Sequence, residues 1–279
     1  MLSIFFGLTS AAVWGAGDFT GGMASRKTGV YRTVVYAEII GVSVLLIVAL
    51  IVRQPIPAWN IWVLSMIAGA FGTTGLLLLY YSMTKGMMSI AAPVSALLAA
   101  LLPVIIGLFT ESLPTLLTFV GFAFALAAIW LISQGKDGVK NIFSHIADLR
   151  LPLLAGIGFG FYFVLIHAAT RTDLLWPMTA SRLGGMIILV LFMIFRRETW
   201  KVEGNAWSMI ALNGILDIGG NLFFILAGQA GRLDISAVLS SLYPGSTVIL
   251  AWIFLKERLT HTQWIGIAAA MIAIILFTL

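Results

Sequence analysis

A chain of 279 residues that is 61% hydrophobic and only 10% charged carries more apolar surface than a water-soluble core of that size encloses. A formal charge of +5 would point to nucleic acid or acidic partners in a soluble protein, but here the basic residues fall in short polar segments between apolar runs, where they report membrane topology. The absence of cysteine excludes disulfides and thiolate metal sites. The fold class predicted is all-α integral membrane, with the lipid bilayer as its surroundings and no nucleic-acid partner.

Met1 to Phe6 lack the positive region that opens a signal peptide and lead into an apolar run longer than a signal core, so this segment reads as a first transmembrane helix. Runs of the roughly 20 residues that span hydrocarbon lie at about 2–24, 32–52, 60–84, 88–109 and 114–133. After a polar connector from Gln134 to Arg150 they resume at about 151–170, 175–195, 206–229, 233–255 and 262–279, which makes ten helices. Pro114, Pro152 and Pro177 stand near helix starts, where a missing amide proton costs least; Pro93, Pro103 and Pro244 lie within spans and predict kinks or breaks. Small residues four apart, Gly17 with Gly21 and Ala91, Ser95 and Ala99, predict close helix packing.

The second half repeats the first. An offset of 145 residues superimposes Trp62 on Trp207, Gly69 on Gly214, Gly75 on Gly220, Leu77 on Leu222 and Gly86 on Gly231. It continues with Ile90 on Ile235, Ala92 on Ala237, Ser95 on Ser240 and Leu97 on Leu242, and at an offset of 146 Glu111 falls on Glu257 and Leu113 on Leu259. Apolar coincidences are cheap in such a chain, so the Trp and three Gly matches carry most of the weight. The organisation predicted is a first five-helix repeat over 1–134, a cytoplasmic connector over 135–150 and a second repeat over 151–279.

Charge then orients the halves. Odd-numbered loops hold twelve of the sixteen basic residues (among them Arg26, Lys27, Lys85, Lys136, Lys140, Arg196, Arg197 and Lys256), whereas even-numbered loops hold only Arg53, Arg171 and Arg232. Odd loops are predicted cytoplasmic, which places both termini outside. A repeat with an odd number of helices enters the membrane inverted, and equivalent loops do carry opposite charge bias: Arg26 and Lys27 answer to Arg171 alone, and Arg53 to Arg196, Arg197 and Lys201. Two inverted five-helix repeats are a transporter architecture, each half rocking against the other around a midplane site.

Several motifs match a known group. Trp14-Gly15 in the first helix, Arg182-Leu183 in the seventh, Tyr243-Pro244 within the ninth, and above all Glu257-Arg258-Leu259-Thr260 followed by Trp264 and Gly266 resemble the drug/metabolite transporter superfamily, and within it the EamA-type carriers. The resemblance implies a basket of ten helices around a central cavity, a secondary transporter of small organic metabolites such as amino acids, nucleosides or sugars, often an exporter, and residence in the cell membrane. Two departures stand out. Glu111-Ser112-Leu113 lacks the basic member of the second copy, and Glu38 stands where the family usually carries Arg, at an offset of 144 from Arg182.

Charges inside spans cost roughly 2.5–3.5 kcal/mol each on insertion scales, so each needs a partner or a wet cavity. There are four here: Asp18, Glu38, Arg182 and Asp217. Counting along each helix at 1.5 Å per residue puts Asp18 about 12 Å and Glu38 about 9 Å from the basic loops, Arg182 about 20 Å from Arg196 and Asp217 about 15 Å from Trp207. Arg182 with Asp217 is then the easier ion pair, and Arg182 with Glu38 is separated by about 10 Å of depth. Asn213, Asp217 and Asn221, four residues apart, form a polar stripe that belongs in a cavity. Trp14, Tyr36, Tyr162 and Tyr243 are candidate walls for an amphipathic solute, with packing or interface anchoring as the alternative. His167, close to Arg171, reads as an interface histidine.

Asp18 and Glu38, at similar depth on consecutive helices, are the candidates for carrying a coupling proton; the superfamily resemblance adds that small members use a first-helix carboxylate this way. No phosphate-binding glycine loop, metal-ligand cluster or nucleophile and base pair supports a pump, cofactor enzyme or hydrolase. The alternative to a transporter is a membrane-embedded enzyme or a scramblase-like lipid handler, which would gather its polar residues at one depth. The sequence leaves open whether the protein is a monomer or a homo-oligomer.

Overall fold

The computed structural model describes residues 1–84, 88–111, 113–133, 149–202, 204–256 and 258–279, with the backbone alone for 80, 83–84, 88–93 and 205. Of the expected features, Lys85, Gly86, Ser112, the connector through Lys136 and Lys140, and Glu257 lie outside the described residues. Everything regular among the described residues is helical: α1 (Leu2–Thr28), α2 (Val30–Val52), α3 (Trp59–Thr84), α4 (Met88–Thr110), α5 (Leu116–Ser133), α6 (Arg150–Ala169), α7 (Leu175–Arg196), α8 (Trp207–Gln229), α9 (Leu233–Ser240), α10 (Tyr243–Leu255) and α11 (His261–Thr278). In lipid a backbone must satisfy itself, and apolar runs of this length do so only as helices. Since α9 and α10 are consecutive parts of one pass, the eleven helices make ten passes.

Two departures from expectation, and one break that Pro244 predicts, have local causes. α1 runs one turn beyond residue 24, with Arg26 and Lys27 in its last turn, where cations face the negative end of the helix dipole. The ninth pass breaks after Ser240, and Pro244 sits in the first turn of α10, where its missing amide proton is not needed. At Pro103, by contrast, α4 continues without interruption; in a bilayer one missing bond is cheaper than an opened backbone.

The helices pack with a two-fold exchange between halves. α1 lies against α8 as α6 lies against α3; α3 meets α7 as α8 meets α2; α4 meets α6 as α9 and α10 meet α1; α2 with α7 and α5 with α11 pair across the axis itself. The repeat extends to backbone detail. α2 and α7 both end in an arginine of left-handed conformation, Arg53 at φ 55° and Arg197 at φ 53°. At the first of these ends Gln54 N–H bonds Ala49 O at 3.2 Å, and at the second Glu198 N–H bonds Met193 O at 3.0 Å.

The matched glycines mark close approaches between halves. A Cβ on Gly69 would run into Ser181 O of α7, and one on Gly214 would lie 2.7 Å from Ala37 O of α2. Likewise a Cβ on Gly75 would meet the Phe159 ring at 3.2 Å, and one on Gly220 would collide with the Trp14 indole. Phe159 is the residue 145 positions after Trp14. Each half therefore presses an aromatic ring from its first helix into a glycine notch of the other, as small-residue packing in membranes requires. Side chains such as Ile51, Leu191 and Phe195, exposed on the outer surface, are left for lipid to cover.

Candidate functional site

Between α1, α2, α3, α6, α7 and α8, with the start of α10 closing one side, lies a cavity of about 260 Å³. Arg182 is its centre. Its Nη1 is 3.0 Å from Glu38 Oε2, and its Nη2 donates to Asp217 Oδ2, so one guanidinium holds two carboxylates. Arg182 is only 8% exposed, which leaves its charge to be met by those partners. Glu38 and Arg182 are equivalent residues of the two repeats at an offset of 144, so this ion pair spans the pseudo-two-fold axis. Two arginines at those positions would repel; the carboxylate at 38 converts the meeting into an attraction.

The expected 10 Å gap in depth between Glu38 and Arg182 is absent, because counting residues from the loops takes every helix as upright and side chains as short. Asp18, Glu38, Arg182 and Asp217 all line one cavity, where the sequence placed them at three depths. Asp18 and Glu38 both line the cavity, and Glu38 shares the Arg182 guanidinium with Asp217. Asp18 has no hydrogen bond or ion pair among the described residues and turns an exposed carboxylate to the cavity.

The stripe on α8 faces inward as its spacing predicts. Asn213 Nδ2 donates to Gly17 O of α1 at 2.8 Å, Asn221 Nδ2 donates to Asp217 O at 2.7 Å, and Tyr162 Oη donates to Asn221 Oδ1. Trp14 stacks on Phe163 with centroids 5.7 Å apart and meets Tyr243 edge-on at 6.4 Å, forming an apolar wall. Tyr36 is the exception. Its hydroxyl donates to Trp200 O at 2.8 Å, its ring packs edge-on against Trp207, and it does not line the cavity. Two residues from Glu38 means about 200° around the helix, so the two side chains leave on different faces. His167 lies outside the cavity, its ring against Gly228.

Sequence reasoning missed Phe159, Phe163, Thr73 and Ser181 among the lining residues. The repeat held the signal for the two aromatics, since Phe159 is the partner of Trp14 and Phe163 the partner of Asp18 at an offset of 145. A second charged cluster ties the halves at the end away from the basic loops. Glu111, at the end of α4, accepts from Leu233 N–H of α9 at 3.1 Å and lies 3.5 Å from Arg232, which also bonds Asp234 at 2.7 Å. Hydrogen bonding to Asp234 holds the Arg232 guanidinium above its ordinary pKa.

Ten passes in two exchanging halves around a charged interior cavity define a multi-pass membrane carrier. The comparisons agree: the model of the EamA-like transporter family matches residues 1–134 and 149–279, and the chain belongs to that family. It is a membrane transporter of small solutes. An uncharacterized protein of Methanocaldococcus jannaschii is 29% identical over 129 residues, covering 46% of this chain and 94% of that protein, so a single repeat's length stands there as a protein of its own. A solved crystal structure superposes with a TM-score of 0.80 at 17% identity over 99% of this chain and 96% of its own, which shows the shared fold.

Proposed function

We propose that the protein is a secondary transporter that exports a small organic metabolite across the cell membrane by alternating access, the halves 1–134 and 151–279 rocking around the central cavity with both termini outside. The observation that carries this reading is the Arg182–Glu38 pair, which joins equivalent positions of the two repeats at 3.0 Å in the middle of the cavity. A site on the symmetry axis is reached equally from either side as the halves exchange conformations. The amino acid, nucleoside and sugar classes are all compatible in size with the cavity, and Asp18 is the carboxylate available to couple their movement to protons, being the one of the three without a partner among the described residues.

The test is uptake and counterflow of a metabolite panel in proteoliposomes, with and without an imposed proton gradient. Saturable counterflow of at least one solute is expected, with accumulation when the gradient is applied. A protein that is correctly folded and reconstituted yet moves no member of the panel in either arrangement overturns the reading.

A further inference from the structure

We infer that His167 is the gate residue at the end of the cavity away from the basic loops: seated on Gly228 it holds α6 against α8, and transport requires it to leave that seat. This rests on the transport reading above and goes beyond it by naming the contact that must part. Three contacts, each further from the cavity, join the two helices. On α6 the cavity lining reaches outward to Phe163 and on α8 to Asn221, and just there Tyr162 Oη donates to Asn221 Oδ1. The His167 ring then covers Gly228 so closely that a Cβ there would lie 2.6 Å from Nδ1 and 3.1 Å from Cε1. Beyond it Gln229 Nε2 donates to Thr170 O, and Thr170 and Gly228 are both buried. Tyr162 precedes Thr170 by as many residues as Asn221 precedes Gln229, so the two helices keep one register over about 12 Å of rise.

The repeat separates this seal from ordinary helix packing. At the offset of 145, Tyr162 and His167 answer to Gly17 and Gly22 of α1, toward the basic loops. There a Cβ on Gly22 would meet nothing among the described residues within 4 Å, and one on Gly17 would meet only α8, at 3.6 Å or more. Gly22 is exposed and lies one turn nearer the basic loops than Asp18, which lines the cavity. The same register position therefore carries a ring where the molecule is shut and a hydrogen where it is open. α2 and α7, by contrast, are tied at both ends: Gln54 Oε1 accepts from Leu175 N–H at 3.1 Å at one, and Tyr36 Oη donates to Trp200 O at 2.8 Å at the other. That pair serves as the pivot, and as the halves exchange conformations the change of access falls to α6 with α8 at one end and to α1 at the other. A ring seated on glycine is held by van der Waals contact, which is cheap to give up.

The experiment uses the full chain, which has no native cysteine. Ser181→Cys exchanges one oxygen of a cavity-lining side chain for sulfur and reports access through its reaction with a small impermeant thiol reagent, added to intact cells or to inverted vesicles so that each face is probed. With His167 in place, labelling from the face of the basic loops is expected to be the faster. His167→Gly should raise labelling from the opposite face at least about fivefold and lower it from the basic face, the population shift that one lost contact produces. Gly228→Ala, whose methyl pushes the ring from its seat, should act in the same direction, and it decides the matter should His167→Gly not fold. In a second arm His167→Cys is combined with Gly228→Cys. A Cβ on Gly228 would lie 3.8 Å from His167 Cγ, the place a cysteine sulfur takes, so oxidation should bridge α6 to α8 and stop counterflow of any transported metabolite until dithiothreitol restores it. Labelling from the far face that does not rise, equal changes on both faces, or a bridged protein that transports at the native rate overturns the inference and leaves the transport reading standing. If no metabolite moves, the transport reading falls, and labelling alone decides whether His167 seals the cavity.

Discussion

Arg182 holds its place through two partners at once, and removing it would leave the largely buried Glu38 facing the part-exposed Asp217 with no cation between them. Breaking a buried ion cluster by deleting one member costs about 3–5 kcal/mol because the remaining charge is uncompensated. Arg182→Gln should therefore lower the melting temperature of the detergent-solubilised protein and abolish transport. Adding Glu38→Gln to it should restore part of the stability while transport stays lost, since the second change removes the orphaned charge but not the missing cation. Thermal melts of the three variants check this; a double variant no more stable than Arg182→Gln would show that the loss is not electrostatic. The pair itself was only half legible in the sequence. That Arg182 needed a carboxylate followed from its position in a span, and Asp217 was named as the easier partner. Glu38 at 3.0 Å was not foreseen, because depth counted along helices knows nothing of tilt or rotation. The same blindness to rotation assigned Tyr36 to the cavity when its ring packs on Trp207.

Among the helices, legibility depended on what each feature needs. Spans are fixed by the length of apolar runs, and all ten passes were readable, as was the break at Pro244, whereas the unbroken course through Pro103 depends on neighbours that no single span records. The glycine matches were readable as a repeat but not as contacts. Their meaning lies in backbones touching: a Cβ on Gly69 would overlap Ser181 O, and main chain cannot swing aside as a side chain can. Gly69→Ala should force α3 away from α7 and destabilise the protein by about 1–3 kcal/mol, the usual cost of overpacking. Gly22→Ala is the matched control, for a Cβ there meets nothing within 4 Å and alanine favours a helix by about 0.5–1 kcal/mol. Fluorescence-detected size exclusion after heating should rank Gly22→Ala at or above the native protein and Gly69→Ala clearly below it. The reverse order would mean that the close contact between α3 and α7 does not support the fold.

At the scale of the whole molecule, the two halves are alike in path but unlike in charge, and the two ends of the molecule differ. The cavity reaches Val34, four residues from the start of α2, and Leu79, five from the end of α3, both toward the loops rich in Lys and Arg. At the opposite end Glu111 of the first half holds Arg232 and the Leu233 amide of the second, and a carrier that exposes its site on that side must part them. Both partners are about one quarter exposed, so the tie is screened and contributes about 1 kcal/mol, enough to shift a two-state balance roughly fivefold. Glu111→Gln should loosen it and favour the conformation open at the far end. The chain has no cysteine, so a single Val34→Cys reports the state directly through its reaction with an impermeant thiol reagent added on the side of the basic loops. Its labelling rate should fall when Glu111→Gln is introduced, because fewer molecules are open on that side, and a cysteine replacing the exposed Lys201 should label equally in both backgrounds. An unchanged or faster rate at Val34→Cys would mean that the Glu111 cluster braces α4 against α9 in every conformation and takes no part in gating.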